Sequence, residues 1–283
     1  MLEITKVEEL RCYDQLLNID RIHKSIGTLG GGNHFIEVSE SYEGKVYLIV
    51  HTGSRNLGKQ VAEIYQNLAV KYFKDHFDAA EMVENHINLR GDKEKIQGMI
   101  KDLKSKIPPK QLAFLSGQLF EDYIHDMKIV QDYASINRRT IIEEICHPLN
   151  IEIIKSFQTI HNYIDTDSKI LRKGAISANY GEIALIPLNM RDGSLICIGK
   201  GNPDWNNSAP HGAGRIMSRG KAKAEIDIED FKASMRGIYS TSVNESTLDE
   251  SPFAYKDVDE LIGNIGDTVD IIDHIRPVYN FKA

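Results

Sequence analysis

The chain has 283 residues, and its 34 Lys and Arg against 41 Asp and Glu give a net charge of -7 at pH 7. A hydrophobic fraction of 41% with only 8 Pro excludes disordered, collagen-like and low-complexity classes, and the length is sufficient for a large core. No apolar run is long enough to span a bilayer, and the first residues lack a signal-peptide pattern. The sequence therefore predicts a cytoplasmic protein without a membrane partner.

The cysteines and the charge pattern indicate the compartment of the protein and the kind of partner that it could bind. Three scattered cysteines, Cys12, Cys146 and Cys197, cannot form a disulfide framework, which is typical of a reducing compartment. The negative net charge argues against a general nucleic-acid coat, because such affinity comes from Lys and Arg on phosphates. Two local basic clusters remain, RIMSRGKAK at 215–223 and RK at 172–173, and we expect any RNA contact there.

A β-hairpin is the first regular structure that the sequence predicts. Residues 33–38 and 45–51 are rich in β-branched and aromatic side chains, and a polar turn separates them. Pairing of Val38 with Tyr47 would place His34 opposite His51, at the open end of the hairpin. Two histidines distant in sequence would then be neighbours, although Glu37 would face away from His34 unless the strand begins later.

Apolar spacing next predicts an amphipathic helix over 59–75, within a largely helical stretch that continues to about residue 161. The lysine-rich segment 93–110 is typical of an exposed helix followed by a turn. Short strands follow at 174–178, 182–186 and 194–198, then a loop at 199–210, a helix over about 258–274 and a strand at 278–281. We therefore predict one α+β domain over 1–283, with several short antiparallel strands and a helical insertion at about 59–160.

Four of the ten histidines lie beside glycine or small polar residues at the ends of predicted elements: His34, His51, His161 and His211. Glycine permits close approach of a ligand, and imidazole binds divalent ions or acts as a nucleophile. No compact ligand motif such as H-x-x-x-H occurs. Residue chemistry alone thus leaves both a metal or phosphate site and a set of structural loop histidines open.

Five segments, in chain order, resemble the motifs of the RtcB family of RNA ligases. They are GTLGGGNHFIE at 27–37, HTGSR at 51–55, HNY at 161–163, RKGA at 172–175 and HGAGR at 211–215, and the resemblance extends to Lys282. It implies an enzyme that uses GTP and one or two manganese ions to join an RNA 3′-phosphate or 2′,3′-cyclic phosphate to a 5′-hydroxyl, in tRNA splicing or RNA repair. An archease-like activator and the oligomeric state stay open.

The resemblance also implies residue roles. His211 would be the catalytic nucleophile that accepts GMP, and His34, His51 and His161 would bind manganese. Glu37 would accept hydrogen bonds from guanine N1 and N2, and Lys282 would approach O6 and N7. The groups expected on RNA phosphates are Arg55, Lys173, Arg215 and Arg219. The full set expected on the nucleotide is Asn33, His34, Phe35, Ile36, Glu37, His161, Asn162, Pro187, Leu188, Asn189, Met190, Ser194, His211, Gly212, Ala213, Gly214 and Lys282.

Two departures from the family pattern affect these expectations. The segment PLNMRDGS at 187–194 stands where the family typically has PGSMGTAS, so Leu188 and Asn189 replace a glycine and a serine that cradle phosphate. The family's Asp-x-x-Cys-Gly metal motif has no counterpart before Gly27, and Cys146 with its preceding glutamates lacks the glycine. We therefore expect a short family form with weak metal binding; the alternatives are an impaired relative that binds nucleotide or RNA, and a metal-dependent phosphoesterase.

Overall fold

The computed structural model describes residues 5–88, 98 and 112–282. The chain divides into two compact units, one built from Glu3–Lys24 and Ser54–Tyr133, the other from Ser25–Gly53 and Ala134–Ala283. The lysine-rich segment predicted at 93–110 lies outside the described residues apart from Gly98. No described helix combines the length and apolar character that a membrane span requires.

Helices and strands alternate in blocks along the chain, as an α+β fold requires. The helices are α1 (Ile19–Lys24), α2 (Arg55–Asn88), α3 (Gly117–Cys146), α4 (Arg219–Glu225), α5 (Ile228–Ser234) and α6 (Val258–Asn264). The strands are β1 (Phe35–Glu40), β2 (Val46–His51), β3 (His161–Asp165), β4 (Ile170–Ser177), β5 (Ile183–Asn189), β6 (Gly193–Gly199), β7 (Ser208–Pro210), β8 (Tyr239–Ser240) and β9 (Val269–Lys282). The predicted fold class is confirmed.

The first unit contains α1, α2 and the start of α3. The helix predicted over 59–75 is confirmed within α2, where Leu57, Val61 and Tyr65 repeat every four residues and are buried. Asp126 of α3 is fully buried and accepts hydrogen bonds from Tyr65 Oη at 2.8 Å and from two backbone N–H groups near Cys12. Each such bond to a charged group is worth about 1.5–3 kcal/mol, so one carboxylate joins three segments.

The predicted helical continuation to residue 161 is wrong beyond α3. Residues 151–160 form neither helix nor strand. Pro148 disfavours helical backbone in the residue before it, and Asn150 has a left-handed φ of 50°. The helix therefore ends at Cys146, and the chain reaches β3 through turns and extended backbone.

In the second unit, β1 and β2 form the predicted hairpin with a register shifted by one residue. Val38 pairs with Leu48, not Tyr47, and Phe35 lies opposite His51. Because the strand begins at Phe35, His34 precedes it and its direction is not fixed by strand alternation. The conflict between His34 and Glu37 therefore disappears.

The main sheet has the order β2-β1-β9-β6-β5, with β8 paired to β9. The helix predicted over 258–274 is wrong after Asn264, because residues 269–282 form the long strand β9. Gly263 and Gly266 weaken a helix there, and the following residues are rich in Val and Ile. The strand predicted at 278–281 is the last part of β9, which lies between β1 and β6.

A second sheet of three strands has the order β3-β4-β7. The predicted strands at 174–178 and 182–186 are confirmed as β4 and β5, but they belong to different sheets. The strand predicted at 194–198 is β6, and it pairs with β5 as the intervening turn suggests. The turn at 179–181 thus carries the chain from one sheet to the other.

The apolar core of the second unit connects these sheets. Ile176 of β4, Ile186 of β5 and Leu195 of β6 are almost fully buried in one cluster, against which α6 packs Leu261. Burial of each such side chain contributes about 1.5–3 kcal/mol. All three cysteines are free and buried, consistent with the expectation that they form no disulfides.

Candidate functional site

All four histidines selected from the sequence lie at strand ends of the second unit. His34 directly precedes β1, His51 ends β2, His161 begins β3 and His211 directly follows β7. The hairpin and the three-stranded sheet therefore deliver side chains separated by up to 177 residues to one place. Such strand ends leave the backbone open to a ligand, as the glycine-rich neighbours of these residues suggest.

Four aromatic side chains form a continuous stack, which we call the ring column: Phe35, His51, His161 and His211. The ring centroids of Phe35 and His51 are 5.1 Å apart with nearly parallel planes. His51 lies 5.3 Å from His161, and His161 lies 4.9 Å from His211. His34 flanks the column, with its ring centroid 6.1 Å from that of His51.

The environment keeps the inner histidines neutral. Burial, followed by the nearby charges of His161 and His34, lowers the pKa of His51 to about 3. Burial and the proximity of His211 also lower the pKa of His161. His34 Nδ1 lies 2.8 Å from the carbonyl oxygen of Leu29, which can only accept, so Nδ1 carries the proton and Nε2 keeps its lone pair. Neutral imidazoles of this kind are metal ligands or nucleophiles.

The donor chemistry fits a divalent cation at His34, His51 and His161. His161 Nδ1 is buried without a hydrogen-bond partner, which is unusual for a polar atom and is compatible with a role as a ligand atom. In the structure, however, the three rings do not converge on one position: among the described residues, no three His, Cys, Asp or Glu side chains could hold a metal ion together. Binding of one ion by all three rings would therefore require them to move.

The loop that carries His211 is docked on the end of β5. Ala213 is buried and donates its backbone N–H to the carbonyl oxygen of Pro187 at 3.2 Å. A Cβ at Gly212 would lie only 3.0 Å from the same oxygen, so the close approach favours glycine. Among the described residues, no hydrogen bond uses the N–H of Gly212 or Gly214. The loop thus presents two backbone donors beside His211.

Leu188 and Asn189, which replace a glycine and a serine of the RtcB motif, both have structural contacts within the protein. Leu188 is 3% exposed and belongs to the apolar core. Asn189 Oδ1 accepts the backbone N–H groups of Arg191 and Asp192, and its Nδ2 donates to the Asp192 carboxylate at 2.7 Å. This side chain closes the turn between β5 and β6, so its oxygen and its nitrogen both have partners within the protein.

Glu37 is buried on β1, 2% exposed, and both of its oxygens have partners. Ser39 Oγ donates to Oε1 at 2.7 Å, and Asn280 Nδ2 on β9 donates to Oε2 at 2.8 Å. Burial raises the pKa of this carboxyl, although these two hydrogen bonds and the charge of Lys282 oppose the shift. Asn280 Oδ1 and the Ser194 hydroxyl are buried without partners. Asn280 thus has an acceptor oxygen without a partner next to its hydrogen bond with Glu37.

Lys282 is ordered next to the ring column rather than frayed. Its Nζ lies 4.8 Å from the centroid of Phe35 and 2.9 Å from Glu250 Oε2. Its backbone N–H donates to the hydroxyl of Ser242, which in turn donates to the Lys282 carbonyl oxygen. Sequence reasoning missed Glu250 and Asn280, because neither carries a local signal that distinguishes it from a surface residue.

The predicted basic clusters are largely engaged with acids. Arg215 Nη1 lies 3.3 Å from a carboxylate oxygen of Glu250. Asp249 pairs with Lys223 at 3.3 Å and with Arg219 at 3.8 Å. In the second cluster, Arg172 is buried and pairs with Asp165, whereas Lys173 is exposed. Arg55 begins α2 in the other unit. The RNA contacts expected of these residues stay a prediction.

The chain as a whole is similar to known proteins. The sequence model of a family described as "tRNA-splicing ligase RtcB" matches residues 11–283. The chain is 30% identical over 290 residues to "RNA-splicing ligase RtcB" of Escherichia coli, covering 96% of this chain and 64% of that protein. It is 29% identical over 314 residues to "tRNA-splicing ligase RtcB" of Aeropyrum pernix, covering 90% and 59%. The chain thus spans a little under two thirds of the length of these relatives.

Proposed function

The chain belongs to the RtcB family, and on this premise we propose that it is an RNA ligase of RNA splicing or repair. It would join an RNA 3′-phosphate or 2′,3′-cyclic phosphate end to a 5′-hydroxyl end, with GTP and manganese. The observation that carries the proposal is the ring column, in which His211 ends a stack that contains the neutral rings of His51 and His161, beside two backbone N–H groups without acceptors among the described residues.

The proposed first step is nucleophilic attack by His211 on the α-phosphorus of GTP. A nitrogen–phosphorus bond forms, the bond from that phosphorus to the bridging oxygen breaks, and pyrophosphate leaves. The N–H groups of Gly212 and Gly214, which have no acceptor among the described residues, would donate to phosphoryl oxygens as charge develops there. Transfer of GMP to the RNA 3′-end then activates it for attack by the 5′-hydroxyl, which releases GMP.

The side chains that would hold manganese are His34, His51 and His161, whose neutral rings supply lone pairs. When bound, the ion supplies positive charge for the phosphoryl oxygens. The protein's own contribution is to hold these rings by burial and by the hydrogen bond from His34 Nδ1 to Leu29. This second contact fixes the tautomer, as metal-binding histidines require.

RNA would be held by the cationic side chains nearest to the His211 loop. Arg215 and Arg219 follow that loop directly, and Lys173 is an exposed cation on β4. Gly174, the next residue, packs its Cα against the His211 ring, since a Cβ there would lie 3.8 Å from it. Phosphate neutralisation at these positions predicts salt-dependent RNA binding despite the negative net charge.

Incubation with manganese and GTP labelled at the α-phosphate tests the proposal. We expect a covalent, acid-labile label on the protein that is lost in His211→Ala, because no other side chain would form the phosphoramidate. The variant His147→Ala is the matched control, since this histidine is exposed and lies outside the ring column. It should keep the label.

Other outcomes of this assay distinguish the alternatives. A second candidate function is that of a relative that binds nucleotide or RNA but has impaired catalysis. It is favoured because the Asn189 side chain is hydrogen-bonded within the protein and Leu188 is buried in the core. GTP binding without a covalent label would support that candidate against the ligase. Release of phosphate from RNA ends without joining would instead indicate a phosphoesterase.

A further inference from the structure

We propose that Glu250 is a positioning residue for base recognition, which holds the Lys282 ammonium group beside Phe35. This inference rests on the proposed function, because it assumes that a nucleotide base is read at this end of the ring column. It adds a residue that contacts neither the base nor the reacting atoms and acts through Lys282.

The contacts of Glu250 converge on one buried carboxylate. The residue is 3% exposed, at the end of the 3-10 helix Glu245–Glu250. Its Oε2 accepts from Lys282 Nζ at 2.9 Å and from Tyr255 Oη at 2.8 Å, and its Oε1 accepts from Arg215 Nη1 at 3.3 Å. A buried charge persists only when it is paired and hydrogen-bonded, and these donors meet that condition.

Lys282 needs such a partner because its long side chain loses rotamer freedom when it is buried, at a cost of about 1.5–2 kcal/mol. Its backbone is fixed by Ser242 and by pairing with Phe35 on β1. Its ammonium group lies over the Phe35 ring at 4.8 Å, and Glu250 is its only hydrogen-bond partner among the described residues. One of its three N–H bonds points to the carboxylate, which leaves donors for acceptors of a bound ligand.

The ligand class follows from this donor set. Guanine presents two adjacent acceptors, O6 and N7, whereas adenine replaces O6 with a donor amino group. An ammonium group held in place therefore favours guanine over adenine, and it does so only while its position is fixed. Without Glu250, only the contact with the Phe35 ring would hold the ammonium group, its position would be less fixed, and the preference would fall.

Asp249 provides a control within the same cluster. It precedes Glu250, is also buried and pairs with cations, namely Lys223 at 3.3 Å and Arg219 at 3.8 Å. No ion pair joins it to Lys282 among the described residues. Removal of its charge thus perturbs the same acidic pair without releasing the Lys282 ammonium group.

The test measures the affinities of the full chain for GTP and for ATP, and their ratio. We expect Glu250→Gln to lower the GTP preference about tenfold, the equivalent of one hydrogen bond to a charged group. Asp249→Asn should keep the ratio of the wild type. In a Lys282→Met background, Glu250→Gln should cause no further change in the ratio, since the group that it positions is absent.

A purely structural role for Glu250 would lower both affinities equally and leave the ratio unchanged, which would overturn the inference. If Glu250→Gln does not fold, Glu250→Asp should also lower the ratio of GTP affinity to ATP affinity, because the shorter side chain keeps the charge but holds it farther from Lys282. An unchanged ratio in Glu250→Asp would likewise overturn the inference. Failure of the wild type to bind GTP would overturn the proposed function itself, and this inference with it.

Discussion

Glu37 illustrates at the scale of a single residue how this site tolerates a buried charge. The carboxylate is surrounded by the hydroxyl of Ser39 and the amide of Asn280, yet burial still raises its pKa. An acid with a raised pKa binds its proton more tightly in the folded state than in the unfolded state. Its ionisation therefore costs stability, and the hydrogen bonds offset only part of that cost.

Replacement of this carboxylate tests the cost directly. Wild-type stability should fall as pH rises from the ordinary glutamate value through the raised pKa of Glu37, whereas Glu37→Gln lacks this titration. An amide flip of Asn280 would let its unpartnered Oδ1 accept from the new amide. In urea titrations, the free energy of unfolding of the variant should thus rise relative to that of the wild type as pH increases above the ordinary pKa of glutamate.

The exposed Glu40 on the same strand supplies the control for that experiment. Glu40→Gln should keep the pH dependence of the wild type. Identical pH dependence in wild type and Glu37→Gln would show that Glu37 does not ionise in this range, and that the attribution of the effect to this residue is wrong.

The sequence predicted the four histidines but not the residues that hold the site around them. Glycine and small polar neighbours mark strand ends, so the selection of His34, His51, His161 and His211 had a local physical basis. Glu250 and Asn280 act through partners far along the chain, and the Asn280 to Glu37 contact joins residues 243 positions apart. No local pattern encodes such a pair.

At the scale of elements, the sheet depends on one tight approach between β6 and β9. Gly193 begins β6 with a φ of 76°, and a Cβ there would overlap the carbonyl oxygen of Ile275. Gly181 has almost the same φ, 77°, but no heavy atom lies within 4 Å of its Cβ position. Substitution of Gly181 would therefore cause backbone strain alone, whereas substitution of Gly193 would cause both backbone strain and steric overlap.

Substitution of these two glycines gives a matched prediction. Gly181→Ala should lower the free energy of unfolding by about 1–2 kcal/mol, the cost of left-handed backbone for alanine. Gly193→Ala should lower it by more than about 3 kcal/mol, because β9 must also move away. Urea unfolding of both variants is the measurement, and equal losses would contradict the role assigned to the Ile275 carbonyl.

The predicted helices and strands were correct where the local sequence pattern determines the element, and wrong where pairing with distant strands determines it. The helix over 59–75 and the strands at 174–178, 182–186 and 194–198 follow from periodicity and turn residues. The segment 258–274 changes from helix to strand after Asn264, because β9 is selected by pairing with β1 and β6. The hairpin register differs by one residue from the predicted register.

At the scale of the whole molecule, the ligand set limits how much metal these 283 residues retain. Three neutral imidazoles carry no negative charge, and no carboxylate or thiolate completes a metal-binding group among the described residues. Manganese favours carboxylate, and two dications close together repel each other strongly. We predict at most one tightly held divalent ion per chain.

Elemental analysis after extensive dialysis checks this stoichiometry. His51→Ala should lose the retained ion, while His147→Ala should keep it. Two manganese ions retained per wild-type chain would show that other residues complete the site. Because three histidines with an open position suit zinc, competition between zinc and manganese in the same dialysis should favour zinc.

The central position of β9 also has a consequence for how the molecule is made. This strand is translated last among those described, yet it separates β1 from β6 and carries Lys282 to the ring column. During synthesis the β1–β2 hairpin emerges early, with one edge unpaired until β9 leaves the ribosome. The growing polypeptide must therefore keep an open sheet edge protected until β9 has been made, and Lys282 reaches the ring column only when that edge is paired.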